Sequence, residues 1–265
     1  MKIALAQLRI EPGDVAGNVD RAEAAIADAA ALGVDLVCLP EAFNVGYFSF
    51  SAYTEHAEGL SGPTLSRLSA AARENNIAVV AGTIIEDLTE TDGGPAAEGL
   101  ANTAVFFDRD GTRKAVYRKR HLFGYDSRES ELLVPGEQLP TVSFEGFTVG
   151  LTTCYDLRFP ELYRSLLDAG VTLVLVPSAW PYPRVEHWEL LARARAVENL
   201  CYVAATNGTG EFEDATLLGR STVYDPWGTV LASSGDDPTL VTAAVDSDRI
   251  DSVRAEFPAL DDRRL

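Results

Sequence analysis

The sequence predicts an α/β protein in which two mixed sheets pack face to face with helices outside. Three observations carry that expectation. Short runs rich in Val, Ile and Leu are apolar at consecutive positions, as strands covered on both faces are. Helical patterns alternate with these runs, which is the arrangement of an α/β chain. The chain also resembles itself: "VDLVCLPEAF" (34–43) matches "VTLVLVPSAW" (171–180), and "NTAVFFDRDGT" (102–112) matches "RSTVYDPWGT" (220–229). The pairs occur in the same order and divide the chain into two related halves, a repeat far too long for a solenoid.

Each element has its own justification. Strands are expected at 2–9, 34–39, 77–85, 101–107, 114–118, 147–153, 171–176, 201–206, 219–225 and 239–245, where the apolar runs fall. "NVDRAEAAIADAAALG" reads as a helix from an Asn18 cap to a Gly33 stop; "GPTLSRLSAAAREN" follows the same logic, and "VEHWELLARARAVEN" is a third. A further helix is expected to begin near Pro160, since proline suits a first helical turn. "FDRDGT" and "YDPWGT" read as hairpin turns. The stretch "RHLFGYDSRESELLVPGEQLP" (120–140) has no periodicity and follows a strand, and long ordered loops in compact domains are often functional. No Pro/Gly/Ser-rich linker separates the halves, so residues 1–265 are expected to form one domain.

Composition narrows the function classes. Hydrophobic residues make up 46%, which excludes a disordered chain. The formal net charge is −18, and the lysines are Lys2, Lys114 and Lys119 alone. Such a surface argues against nucleic acid or an anionic membrane as partner and suits saline or alkaline surroundings. Cys38, Cys154 and Cys201 are odd in number and far apart, so a reducing, cytoplasmic setting is expected. No signal peptide and no run of membrane-spanning length is evident. No His or Cys pair has zinc-ligand spacing, so neither a metal nor a cofactor is expected.

The informative cysteine is Cys154. Burial tendency alone would make it a core residue, as Cys38 and Cys201 inside their apolar runs are expected to be. Yet Cys154 stands where an apolar run stops, ahead of the polar burst "YDLRFPELYR", and the end of a strand is where α/β folds bind ligands. A nucleophilic cysteine needs a base and a group to hold developing negative charge. His121, in "RKRHLF", is one candidate base, giving a papain-like pair; His56 and His187 read as surface or packing residues. The other candidate is Glu41 in "DLVCLPEAF", which is expected to end the strand equivalent to that of Cys154; partial burial at a cleft would raise its pKa as a base requires. Lys119 closes a third strand and opens the long loop, a placement suited to a charge-holding group.

Taken together, "LPEAF", "YRKRHLF" and "CYDLRFPELYR", in that order, resemble the carbon–nitrogen hydrolase (nitrilase) superfamily. The resemblance runs from "KIALAQL" at the start to "EFPALDDRRL" at the end. It implies a four-layer α-β-β-α sandwich of two pseudo-symmetric halves. It also implies a catalytic triad of Glu41, Lys119 and Cys154, and a second glutamate, Glu129, in "ESELLVPG". By the same resemblance Cys154 attacks an amide carbonyl, Glu41 moves the proton, Lys119 and the Tyr155 N–H hold the oxyanion, and Glu129 orients the amide nitrogen or the base.

"CYDLRFPE" resembles the amidase branches, including aliphatic amidases, ω-amidases and enzymes acting on deaminated glutathione. Nitrilases more often carry Trp-Glu after the cysteine, so Tyr155-Asp156 disfavours nitriles. The expected substrate is a small linear aliphatic amide; the alternative is a carboxylated amide, ahead of N-carbamoyl compounds, nitriles or an inactive binding protein. Tyr47 and Trp180 are expected to wall the pocket. Arg158 is expected to pair with Glu161 structurally, the alternative being a substrate carboxylate. The resemblance further implies a homodimer or larger homo-oligomer.

Overall fold

The computed structural model describes residues 1–125 and 127–264; Asp126, inside the long loop, and Leu265 lie outside the described residues. The first half runs β1 (Lys2–Gln7), α1 (Val15–Ala31), β2 (Leu36–Cys38), α2 (Tyr53–His56), α3 (Pro63–Asn75), β3 (Ala78–Asp87), β4 (Leu100–Phe107) and β5 (Arg113–Arg118). The second half continues with α4 (Glu129–Leu132), β6 (Thr141–Phe144), β7 (Phe147–Leu151), α5 (Pro160–Asp168), β8 (Leu173–Ser178), α6 (Val185–Asn199) and β9 (Tyr202–Asn207). It closes with β10 (Thr209–Phe212), β11 (Ala215–Leu218), β12 (Thr222–Tyr224), β13 (Val230–Ser233), β14 (Thr239–Ala244) and α7 (Ser247–Glu256).

The consecutive apolar positions have the expected cause. In β1, Ile3 and Leu5 pack into the layer between the sheets, while Ala4 and Ala6 pack outward in the cluster that holds Val19, Ala22 and Ile26 of α1. Leu36 and Cys38 face inward and Val37 outward in the same way. Across the interface stand Val149, Leu151, Leu173 and Leu175, and behind them Val174 and Val176 pack with Leu162 of α5 and Trp188 of α6. Helix, sheet, sheet and helix thus form the four layers of an α-β-β-α sandwich, the fold expected from the sequence.

Both sheets have six strands, ordered β14-β1-β2-β3-β4-β5 and β13-β12-β9-β8-β7-β6. In each, three parallel strands (β1-β2-β3 and β7-β8-β9) are extended on both sides by antiparallel ones. Matching β7, β8, β9, β12 and β13 to β1 through β5 reproduces the internal repeat. The strand outside β7 is β6, from the adjoining segment. Its counterpart outside β1 is β14, which arrives from the far end of the chain and pairs from Lys2↔Ala244 to Gln7↔Thr239.

This topology corrects one expectation. Cys154 follows β7, the counterpart of β1, whereas Glu41 follows β2, the counterpart of β8. The two residues do not end equivalent strands; Ser178 stands where Glu41 does in the other half. The expected strand 219–225 is also shorter, because Gly219 and Arg220 take positive φ (64° and 56°) and split β11 from β12. β6, β10 and β13 carry no apolar run because they are short and border solvent, and β11 buries only Leu217 and Leu218. α7 buries only Ile250 and Val253, too few for a helical stripe.

Candidate active site

Glu41 is positioned by a turn that a glycine makes room for. β3 bulges between Ala81 and Ile84 as it passes the Leu39-Pro40 turn. A Cβ on Gly82 would lie 2.0 Å from the Leu39 carbonyl oxygen and 2.2 Å from that of Pro40, so no larger residue fits. The neighbouring Thr83 hydroxyl accepts the N–H of Ala42, which is held at a φ of 46°. The equivalent turn of the second half meets this one directly. The Glu41 N–H donates to the Ser178 carbonyl at 3.2 Å, and the Ala179 N–H donates to Glu41 Oε2 at 2.9 Å.

Lys119 arrives through strand pairing. Its N–H donates to the Asn102 carbonyl (2.8 Å), extending the β4–β5 ladder by one residue past Arg118. Its Nζ donates to Glu41 Oε1 at 2.8 Å and to both oxygens of Glu129 at 2.9 Å. Asn102 Nδ2 bridges the same two carboxylates, at 2.8 Å to Glu41 and 3.0 Å to Glu129. Glu129 also accepts the Tyr47 hydroxyl (2.9 Å) and the Phe123 N–H (2.7 Å). The Lys119, Glu41 and Glu129 side chains are fully buried, which is tolerable only because each charge is paired and its lone pairs or protons are used.

The electrostatics follow from that burial. Burial pushes Glu41 above its ordinary pKa, and the negative charge of Glu129 adds to the push, while Lys119 opposes it. Burial alone would lower Lys119, but the carboxylates of Glu129 and Glu41 outweigh it and hold the ammonium well above its usual range. Burial, then the Glu41 carboxylate, drives Cys154 well above an ordinary thiol, so the resting side chain is a thiol beside a carboxylate.

Cys154 opens a single turn of 3₁₀ helix at a φ of 46°, a conformation that costs a non-glycine residue about 1–2 kcal/mol. The buried Asp156 holds the turn. Its carboxylate accepts the Thr153 N–H (2.9 Å), the Tyr117 hydroxyl (2.5 Å) and the His121 N–H (3.0 Å). His121 Nδ1 also lies 2.7 Å from Asp156 Oδ1 and its ring stacks on Phe159 at 3.7 Å. The histidine is therefore engaged behind the turn and does not line the cavity.

Cys154, Lys119, Tyr47, Tyr155 and Trp180 line one cavity of about 350 Å³ including its open mouth, with Glu41 and Glu129 directly behind Lys119. The structure thus brings all seven sequence-named residues to one place. It also moves Arg158. Among the described residues no Arg158–Glu161 ion pair forms; the guanidinium lies over the Trp180 ring (5.0 Å) and the Tyr155 ring (5.7 Å), its Nη2 3.1 Å from His187 Nδ1, on the cavity wall. The remaining cysteines are core residues as expected, and burial pushes both Cys38 and Cys201 up to about 12. Among the described residues no group of three or more His, Cys, Asp or Glu is placed to hold a metal ion.

Asn102 and the backbone donors of Ala179 and Phe123 were not foreseen. Asn102 left a signal, one of two polar residues, with Thr103, inside the strand "LANTAVFF"; backbone donors leave none, because any residue supplies them.

The model of the carbon–nitrogen hydrolase family matches residues 2–255. The chain belongs to the carbon–nitrogen hydrolase family. The hydrolase is 36% identical over 234 residues to the 2-oxoglutaramate amidase of Paenarthrobacter nicotinovorans, covering 87% of this chain and 78% of that one. It is 36% identical over 271 residues to the human omega-amidase NIT2, covering 99% and 95%. Its fold superposes on Nit3 of Saccharomyces cerevisiae, a member of branch 10 of the nitrilase superfamily, with a TM-score of 0.89 at 33% identity, covering 100% and 97%. It superposes on an amidase from Nesterenkonia sp. AN1, which carries an acrylamide adduct on its active-site cysteine, with a TM-score of 0.83 at 33% identity, covering 98% of each chain. The protein is a hydrolase of carbon–nitrogen bonds in amides.

Proposed function

We propose that the hydrolase is an ω-amidase, cleaving the terminal carboxamide of small dicarboxylic acid monoamides to the dicarboxylate and ammonia. The observation that carries this is Arg158, a guanidinium on the wall of the cavity that holds Cys154, with no carboxylate partner among the described residues. A planar guanidinium is suited to bidentate recognition of a carboxylate. The two amidases named for omega-amides or 2-oxoglutaramate support the same substrate class over the plain aliphatic amides that the motifs alone suggested.

The chemistry uses the groups as they stand. Cys154 Sγ attacks the amide carbonyl carbon while Glu41 takes the thiol proton, so no free thiolate is needed at rest. Lys119 Nζ and the Tyr155 N–H hold the oxyanion that forms on the carbonyl oxygen. The carbon–nitrogen bond breaks, the departing nitrogen takes the proton from Glu41, and ammonia leaves a thioester on Cys154. Glu41 then removes a proton from water, which attacks the thioester; collapse releases the acid, and the proton returns to the thiol. Glu129 orients Lys119, whose charge also lies 5.1 Å from the Tyr47 ring.

The test is ammonia release from succinamate, glutaramate and butyramide by the wild type and three variants. Cys154→Ala is expected to abolish turnover, and Glu41→Gln to slow it by about 10²–10⁴-fold. Arg158→Gln is expected to lower kcat/KM for succinamate about 10- to 100-fold relative to butyramide, the loss of a charged hydrogen bond. A wild type that prefers butyramide would refute the ω-amidase reading, and full activity in Cys154→Ala would refute the nucleophile.

A homodimer or larger assembly in the cytoplasm completes the reading. It is supported by Leu190 and Val197, which leave 66% and 45% of their surface exposed on α6, and by three cysteines that are all free. Among the described residues no helix is long and apolar enough to cross a membrane.

A further inference from the structure

The cavity carries a second guanidinium that the reaction above does not use. Arg184 lines the same cavity as Cys154 and Arg158, half-buried, from the residue just before α6. Its backbone is fixed, because the Trp180 indole Nε1 donates to the Arg184 carbonyl at 3.0 Å. Its side chain has no structural task of that kind. It makes no capping bond to α6, and among the described residues it forms no ion pair and no side-chain hydrogen bond. Its guanidinium rests 5.8 Å from the centre of the Phe123 ring, and Phe123 is itself held edge-on against Tyr155, the neighbour of Cys154.

Charge makes this placement informative. The chain has a formal net charge of −18, and its acidic residues outnumber the basic ones 40 to 22, so unpaired guanidinium groups have carboxylates available over most of the surface. The lining of this cavity contains no Asp or Glu, yet it contains three cations, Lys119, Arg158 and Arg184. Lys119 is paired with Glu41 and Glu129 and is assigned to the oxyanion. Two positive groups remain facing the space that a substrate enters. A low-dielectric cleft lined by one sign of charge concentrates the oppositely charged ligand and repels the other.

The geometry points to Arg184 as a second specificity-determining residue, binding the acyl-chain carboxylate of the substrate together with Arg158 and disfavouring amides that carry an ammonium group. The inference rests on the ω-amidase reading and deepens it. Arg158 lies in the turn that bears the nucleophile, over Tyr155 and Trp180, whereas Arg184 enters the same lining from the residue before α6, over Phe123. The carboxylate of a dicarboxylic monoamide then meets two guanidinium groups in one cavity. Glutamine has the same length and the same carboxylate, but its α-ammonium brings a positive charge against both groups and offsets their attraction for the carboxylate.

The experiment compares Arg184→Gln and Arg184→Lys with wild type on glutaramate, butyramide and glutamine, at low and high salt. The expected result is a fall of about tenfold in the glutaramate-to-butyramide ratio of kcat/KM for Arg184→Gln, carried by KM, the size of one charged hydrogen bond. Arg184→Lys recovers part of that ratio. The preference for glutaramate over glutamine narrows in Arg184→Gln, and the salt dependence of kcat/KM for glutaramate weakens. A ratio that stays at the wild-type value in Arg184→Gln overturns the assignment, whether or not the variant is slower on both amides. That outcome differs from failure of the ω-amidase reading, which shows as a wild type without preference for glutaramate.

Discussion

Glu41 is the residue whose environment most directly sets the reaction's pH dependence. In the proposed mechanism it acts as base only when ionised, and burial disfavours the ionised form, so its pKa stands above the ordinary 4.5. The acid limb of kcat/KM is therefore expected above pH 4.5, with activity lost as pH falls through it; a limb at or below 4.5 would contradict the assignment. Lys119 is held well above 10.5, so no alkaline loss of activity from its deprotonation is expected below that pH. Asn102 makes a separate prediction. Asn102→Ala removes a donor from two buried carboxylates at once, and denaturant unfolding is expected to show a loss of about 1–3 kcal/mol together with a lower kcat.

At the scale of elements, three strand ends and one bulge do the positioning. β2, β5 and β7 deliver Glu41, Lys119 and Cys154 to one edge of the sandwich, because β5 runs parallel to β3 after two antiparallel steps. The approach of β3 to the Glu41 turn depends on Gly82. Gly82→Ala is expected to cost about 1–3 kcal/mol by overpacking against backbone carbonyls that cannot rotate away. It should also reduce kcat about 10²-fold, since a displacement of the Glu41 turn near 1 Å spoils proton transfer. Thermal unfolding and steady-state kinetics check both, and a variant with wild-type kcat would show that the turn tolerates the shift.

At the scale of the molecule, β14 ties the two ends of the chain together. It covers the edge of β1 and contributes Val241 and Ala243 to the layer between the sheets. Deleting residues 239–265 is expected to leave an unpaired strand edge and an opened core, giving aggregation or loss of the cooperative unfolding transition. Retention of a sharp transition in the truncated chain would show that the sandwich closes without it. The assembly proposed from the exposed α6 residues predicts a sedimentation mass at least twice 28.5 kDa.

Consecutive apolar positions, helical punctuation and a long internal repeat determined from the sequence that the chain is a two-sheet α/β sandwich. Glu41, Lys119, Glu129 and Cys154 were legible through the resemblance of their motifs to the carbon–nitrogen hydrolase superfamily, whereas burial tendency by itself made Cys154 a core residue. Only the tertiary structure decided which strands correspond, that β14 rather than a neighbour completes the first sheet, and that Asn102 joins Glu41 to Glu129. Only it moved Arg158 from a local pair with Glu161 to the cavity, and it alone placed Arg184 there. The physical reason is range: caps, turns and alternation act over a few residues, whereas pairing partners and the direction of a long cationic side chain are set by what the folded chain brings near it.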